Sequence, residues 1–335
     1  MCGIIAAFNF AKSQQHVNEF IVNQYENQHT RGTRGFGIIR LSKTGFEINR
    51  ACEPTKFLVD LYLKKSNMII AHHRTPTSTE NYLDQTHPIV VSNDQLLFDY
   101  YVIHNGIIID DKILHEKHIE LGFQYTTEYE YITQYNVPTK TIKWNDSESL
   151  AIEAALFIEN KISAMGFDNN AAFVVLQVDK KTQKPLKVFF ARHGMNSDLN
   201  IYQIDKKIRI SSEGVGNEVE DNKIFHFDLT KTTPTIESRP AVYERPKTVK
   251  PVAATTDTDD EYAYGYGRGK FGFASEPTQK TLPAAQNNVS ETKTESTTAP
   301  VTKVSQKRSW IEINYSSVDE YATPLIRSLN ANMDI

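Results

Sequence analysis

Apolar positions over the first 240 residues fall in short runs and helical spacings, separated by polar turns. Cys2 to Phe10 is a continuous apolar run, the pattern of a strand covered on both faces. Val17, Phe20, Ile21 and Tyr25 share one side of a helix predicted over 17–28. A Gly-rich stretch, Arg31-Gly32-Thr33-Arg34-Gly35-Phe36-Gly37, leads into Ile38–Leu41. Met68 to His72 predicts a strand, and Asp99 to Ile109 another, broken by His104-Asn105-Gly106. Helices are expected at Asp111–Gly122 and Ser147–Ile162. Between them, the Tyr-rich segment 125–135 reads as an added hairpin strand. Strands follow at Ala171–Val178, Leu186–Arg192, Asn200–Ile204, Lys207–Ser211 and Lys223–Asp228, spaced as antiparallel hairpins. Strands, two helices, then more strands predict layered α+β packing rather than βαβ alternation.

The pattern fades near Arg245. Residues 245–308 are rich in Pro, Thr, Ser, Ala, Lys and Glu and are expected to form a disordered linker. Within it, the aromatic–Gly–Arg stretch 262–273 has the composition of a single-strand stacking segment. The net charge of −4 does not favour nucleic acid, and a plain linker is the simpler reading. Apolar content returns over 309–335, at Trp310, Ile313, Tyr321, Leu325 and Leu329, which suggests a docking segment. Two cysteines are too few for a disulfide scaffold, and no apolar run reaches the ~20 residues of a membrane helix, so a cytoplasmic location is expected. Cys52 reads as structural or a surface thiol. His72, His73, His87 and His104 lack the spacing of a metal site.

Cys2 changes the picture. Initiator methionine is removed ahead of small residues, which would leave a thiol and an α-amine on one residue. The amine titrates near ~7.7–8.0 and a free thiol near ~8.5, so the amine can serve as base to its own thiol. Taken alone, Cys2 reads as a small residue in a buried strand, Asn105-Gly106 as a turn, Arg74 as a surface arginine and Asp146 as a helix N-cap. Together they form a set. Asn105 and Gly106 can supply oxyanion donors, Arg74 can hold a carboxylate and Asp146 an ammonium.

The ordered motifs Met1-Cys2-Gly3-Ile4, Arg31-Gly32 with Gly37, Ala71-His72-His73-Arg74-Thr75-Pro76-Thr77, His87-Pro88, Val102-Ile103-His104-Asn105-Gly106 and Asp146-Ser147-Glu148 resemble class II glutamine amidotransferases. Arg209-Ile210-Ser211-Ser212-Glu213 and Phe225–Asp228 extend the likeness to about residue 230. The resemblance implies a domain over 2–240 with the four-layer αββα sandwich of N-terminal-nucleophile hydrolases. It implies Cys2 as nucleophile, Asn105 and Gly106 as oxyanion hole, and Arg74, Thr77 and Asp146 as substrate contacts. Arg31 would brace the cysteine loop. The half-reaction, glutamine to glutamate and ammonia through a thioester, needs no metal or organic cofactor.

Departures are also visible. Thr75-Pro76 follows Arg74 where relatives often carry an aromatic or aliphatic residue, Arg34 stands where an acidic residue is common, and the Asn105–Asp146 gap is long. No phosphate-binding loop is found, and too little ordered sequence follows residue 240 for a fused synthase. Three readings stay open. Ammonia passes to a separate synthase docked through the tail, or the chain is a stand-alone γ-glutamyl amide hydrolase, or it is a degenerate binding module.

Overall fold

In a computed structural model, the first apolar run forms β1 (Gly3–Asn9), and every residue of it is buried. The structure describes residues 2–246 apart from 12–16, 43–44, 54–65, 133–139 and 215. The expected linker beyond 246 and the docking segment 309–335 lie outside the described residues.

β1 sits inside a seven-stranded sheet together with β2 (Phe36–Ser42), β3 (Gly45–Ala51), β4 (Met68–His73), β11 (Asn200–Ile204), β12 (Lys207–Ser211) and β13 (Asn217–Glu218). Their order is β13-β11-β12-β1-β4-β2-β3. β1 pairs antiparallel with both β4 and β12, so Ile5 lies opposite Ala71 on one side and Ser211 on the other. A six-stranded sheet contains β5 (Ile89–Val91), β6 (Phe98–Gly106), β9 (Ala171–Asp179), β10 (Pro185–His193), β14 (Lys223–Asp228) and β15 (Glu237–Pro240). Its order is β15-β14-β10-β9-β6-β5. A separate hairpin pairs β7 (Tyr129–Ile132) with β8 (Lys140–Lys143).

The period-two alternation of each strand divides the core. Ile4, Ala6 and Phe8 of β1 share an apolar cluster with Ile103, Val174 and Phe190 of the six-stranded sheet. The alternate residues Ile5 and Ala7 join Ile21, Val22 and Tyr25 of α1 (Asn18–Gln28). On the six-stranded sheet, Val102, Phe173 and Val175 cluster with Leu114 of α2 (Asp111–Glu120) and with Leu150 and Ala154 of α3 (Asp146–Ile158). Both faces of β1 are thus dry, which is why its sequence shows no alternation. Each buried Ile or Phe contributes ~1.5–3 kcal/mol.

Several boundaries differ from expectation. β6 runs through His104-Asn105-Gly106, because Asn105 and Gly106 continue the ladder opposite Ala172 and Ala171. α3 ends at Ile158, short of residue 162. Asp146 is not the N-cap. Asn145 takes that place in extended conformation, and its side chain accepts from Ser147 N. The Asp146 carboxylate is thereby free for other partners. β3, β5, β8, β13 and β15 were not anticipated. Among the described residues, no helix is long and apolar enough to cross a membrane.

Candidate active site

The N-terminal end of β1, the C-terminal ends of β4 and β6, and the start of α3 meet at one narrow cleft. Its lining includes Cys2, Arg74, Thr77, Gly106 and Asp146. Five of the seven expected site residues therefore come together. The other two, Arg31 and Asn105, touch Cys2 from behind.

Cys2 is a free, half-buried thiol. Its Sγ accepts from Thr75 N at 3.3 Å and donates to Thr75 O at 3.6 Å. Burial pushes the thiol's pKa up, while the Thr75 N–H and Arg74 pull it back. The Cys2 carbonyl is clamped, accepting from Arg31 Nε at 2.9 Å and from Asn105 Nδ2 at 3.0 Å. Arg31 is held in turn by Glu213 at 2.8 Å. Asn105 Nδ2 also donates to Ser212 Oγ at 2.8 Å, so both of its amide hydrogens are engaged.

Gly106 carries φ +144°, and a Cβ there would lie 2.4 Å from Asn170 O. Only glycine fits this close approach at a strand end. Arg74 is placed by the Gly-rich loop. Arg74 N donates to Gly35 O, and Arg34 N donates to Arg74 O. A Cβ on Gly32 would come within 2.4 Å of the His73 backbone, so the loop can pack there only without one. The buried Arg74 guanidinium donates to Thr79 Oγ1 at 2.6 Å and to Glu80 O at 3.3 Å. Asp146, also buried, accepts from Ser78 Oγ at 2.9 Å and Ile108 N at 2.8 Å. A cation and an anion thus line one cleft beside a thiol. Thr77 is exposed at the cleft's edge.

Three buried histidines adjoin the cleft, and two of them, His87 and His104, line it. The His72 and His87 rings are 4.1 Å apart, and His104 Nδ1 lies 3.0 Å from Ser147 Oγ. His72 Nε2 lies 3.0 Å from both His104 O and Asn105 Oδ1, two acceptors, so it carries the proton. Burial holds His72 down at about 3, His104 at about 4, and His87 well below the usual range. All three are neutral at pH 7 and present no positive charge to Arg74. Among the described residues, no group of three His, Cys, Asp or Glu side chains could hold a metal ion.

Sequence reasoning missed Thr75, Ser78 and Ser212 as contacts. The pairing of Asn105 with Ser212 spans 107 residues, and that of Ser78 with Asp146 spans 68, so no local pattern announces them.

No protein-family model matches the chain, and a comparison with curated protein sequences likewise finds no match. Among solved structures, the chain is similar to the glutamine phosphoribosylpyrophosphate amidotransferase of B. subtilis complexed with ADP and GMP, at 13% identity and TM-score 0.48. It is also similar to a structure described as the allosteric regulatory enzyme of purine biosynthesis, at 14% identity and TM-score 0.46. Each likeness covers 71% of this chain and 49% of the other, so the chain spans about half the length of the structures it matches.

Proposed function

We propose that this chain hydrolyses the γ-amide of glutamine or of a γ-glutamyl compound, with Cys2 as nucleophile after removal of Met1. One observation carries the reading: Cys2, Arg74, Gly106 and Asp146, supplied by separate elements, line a single cleft. Arg74 would take the substrate α-carboxylate and Asp146 its α-ammonium, which lays the γ-amide toward the thiol. The α-amine of Cys2 accepts the thiol proton, and the thiolate attacks the amide carbon. The carbonyl electron pair moves to oxygen. Gly106 N–H and one Asn105 amide hydrogen, exchanged from its present partner, stabilise that oxyanion. Collapse returns the proton to nitrogen and expels ammonia, leaving a γ-glutamyl thioester. Water, deprotonated by the same amine, then attacks the thioester, and the thiol leaves with glutamate formed.

This reading makes residues 2–240 one N-terminal-nucleophile domain. α1 would form the outer layer on the seven-stranded sheet, and α2 and α3 the outer layer on the six-stranded one, an αββα order. It also gives residues 309–335 a role in docking to a separate ammonia-consuming synthase. A second reading, a stand-alone hydrolase of substituted γ-glutamyl amides, draws on the exposed Gly106, Ile107 and Ile109 beside the cleft.

Glutamate release by the full-length protein, measured on glutamine and on N-substituted γ-glutamyl amides, tests both. Release that Cys2→Ala abolishes is expected. Release unchanged in Cys2→Ala sinks the proposal, and the preferred substrate separates the two readings.

A further inference from the structure

The hairpin of β7 and β8 stands apart from the main sheets, since each strand pairs only with the other among the described residues. An isolated two-stranded hairpin is marginal in water, so its anchors matter. One anchor is at its root. The buried Glu148 carboxylate accepts from the backbone and hydroxyl of both Thr126 and Thr127, at 2.6–3.0 Å. The other is Tyr129. Its hydroxyl accepts from Glu80 N at 3.2 Å, and its ring meets Tyr82 edge-on at 5.3 Å.

That N–H belongs to the peptide joining Thr79 to Glu80. These are the two residues whose oxygens receive the Arg74 guanidinium. Ser78, next in the same loop, donates to Asp146. One loop therefore touches both charges of the cleft, and the hairpin touches that loop at its centre.

We infer that Tyr129 is a positioning residue for substrate recognition: it fixes the 75–82 loop so that Arg74 and Asp146 stand oriented toward the α-carboxylate and α-ammonium. The inference rests on the proposed function and assigns the Tyr-rich insertion to that site. Tyr129 acts through Arg74 and the loop. Its loss should therefore weaken substrate capture and leave thiol chemistry untouched.

The test follows modification of Cys2 in the full-length protein by 6-diazo-5-oxonorleucine, which carries both α groups, and by iodoacetamide, which lacks the amino-acid framework. Site-resolved mass spectrometry separates Cys2 from Cys52. For Tyr129→Ala, the half-saturating concentration of the diazo compound should rise about tenfold, the scale of one hydrogen bond and one ring contact. Its maximal rate and the iodoacetamide rate should stay within about twofold. Tyr129→Phe keeps the ring and loses the acceptor, so about a threefold rise is expected. Unchanged half-saturation in both variants overturns the inference. So does an equal loss toward iodoacetamide, which assigns Tyr129 to the fold. Wild-type protein with no saturable modification overturns the glutaminase reading itself, and this inference with it.

Discussion

Two concavities of this molecule differ in a way that separates a site from a gap. The roomier one, about 970 Å³ with the open solvent at its mouth included, lies on the six-stranded sheet past the end of α3, among Phe98, Lys187, Phe189, His226 and Arg239. The cleft at Cys2 is far narrower, about 260 Å³ with the open solvent at its mouth included. In the large groove the charged groups are only half-buried and their partners are of both ranges, since Arg239 donates to Asn160 Oδ1 and Phe157 O, 79 and 82 residues away. Asp228 accepts from Thr230 N and Oγ1, two residues on, and His226 faces Glu237 across one strand pair. In the small cleft, partners lie far apart in sequence: Cys2 with Thr75, Cys2 with Asn105, Ser78 with Asp146. Buried charge on Arg74 and Asp146 carries a desolvation cost. That buried charge, rather than volume, sets the small cleft apart.

The contrast can be broken first at the cleft's charges. Arg74→Lys keeps the charge but loses the planar fork, and Asp146→Asn keeps the shape but loses the charge. Each should lower kcat/KM for the γ-amide about 100-fold, mostly through KM. Steady-state kinetics reads this, and a loss confined to kcat would contradict the assigned roles.

Acid titration comes next. Unfolded histidines take a proton near ~6.5, whereas native His72, His73 and His104 resist until about 3, about 4 and about 4. His87 shifts the same way. Between pH ~6.5 and ~4 the unfolded chain binds more protons, so stability should fall on acidification, by ~2 kcal/mol per histidine at pH 5. Asp111, pushed up to about 6 by burial, and Glu148, raised for the same reason, act in the opposite direction but are fewer. Denaturant unfolding from pH 8 to 5 should show a plateau above ~6.5 and a steep decline below it. A flat profile would mean the histidines are hydrated.

Glu148→Gln replaces one of two buried acceptor oxygens with an amide that faces donors. It should destabilise by about 2 kcal/mol, read as a lower denaturation midpoint with an unchanged slope. The smallest effect is expected in the groove, where Lys187→Ala should change activity less than about twofold. A large loss there would reverse the comparison.

Much of the fold was legible because both faces of β1 and one long stripe of α3 are apolar. The strands that escaped notice have weak patterns: every residue of β3 with a described side chain is only partly buried, and β8 is exposed over three of four residues. Asp146 was read as a cap because the residue before it, Asn145, also fits a helix start, and only the backbone angles decide between them. Of the candidate site, Cys2, Arg74, Gly106 and Asp146 were readable because each sits in a short motif whose chemistry and order along the chain could be recognised. Thr75, Ser78 and Ser212 were not, since hydroxyls and peptide groups acquire their roles only from the fold. The buried histidines were read only as lacking the spacing of a metal site. Only burial shows that they stay neutral at a charged cleft.

The central claim is that Cys2, freed of Met1, attacks a glutamine-like amide. Intact-protein mass spectrometry before and after 6-diazo-5-oxonorleucine tests it most directly. The proposed chemistry predicts a native mass lacking methionine and a single adduct mapped to Cys2, prevented by excess glutamine. Retained Met1 in a protein that still releases glutamate, or an adduct at Cys52 alone, would contradict it.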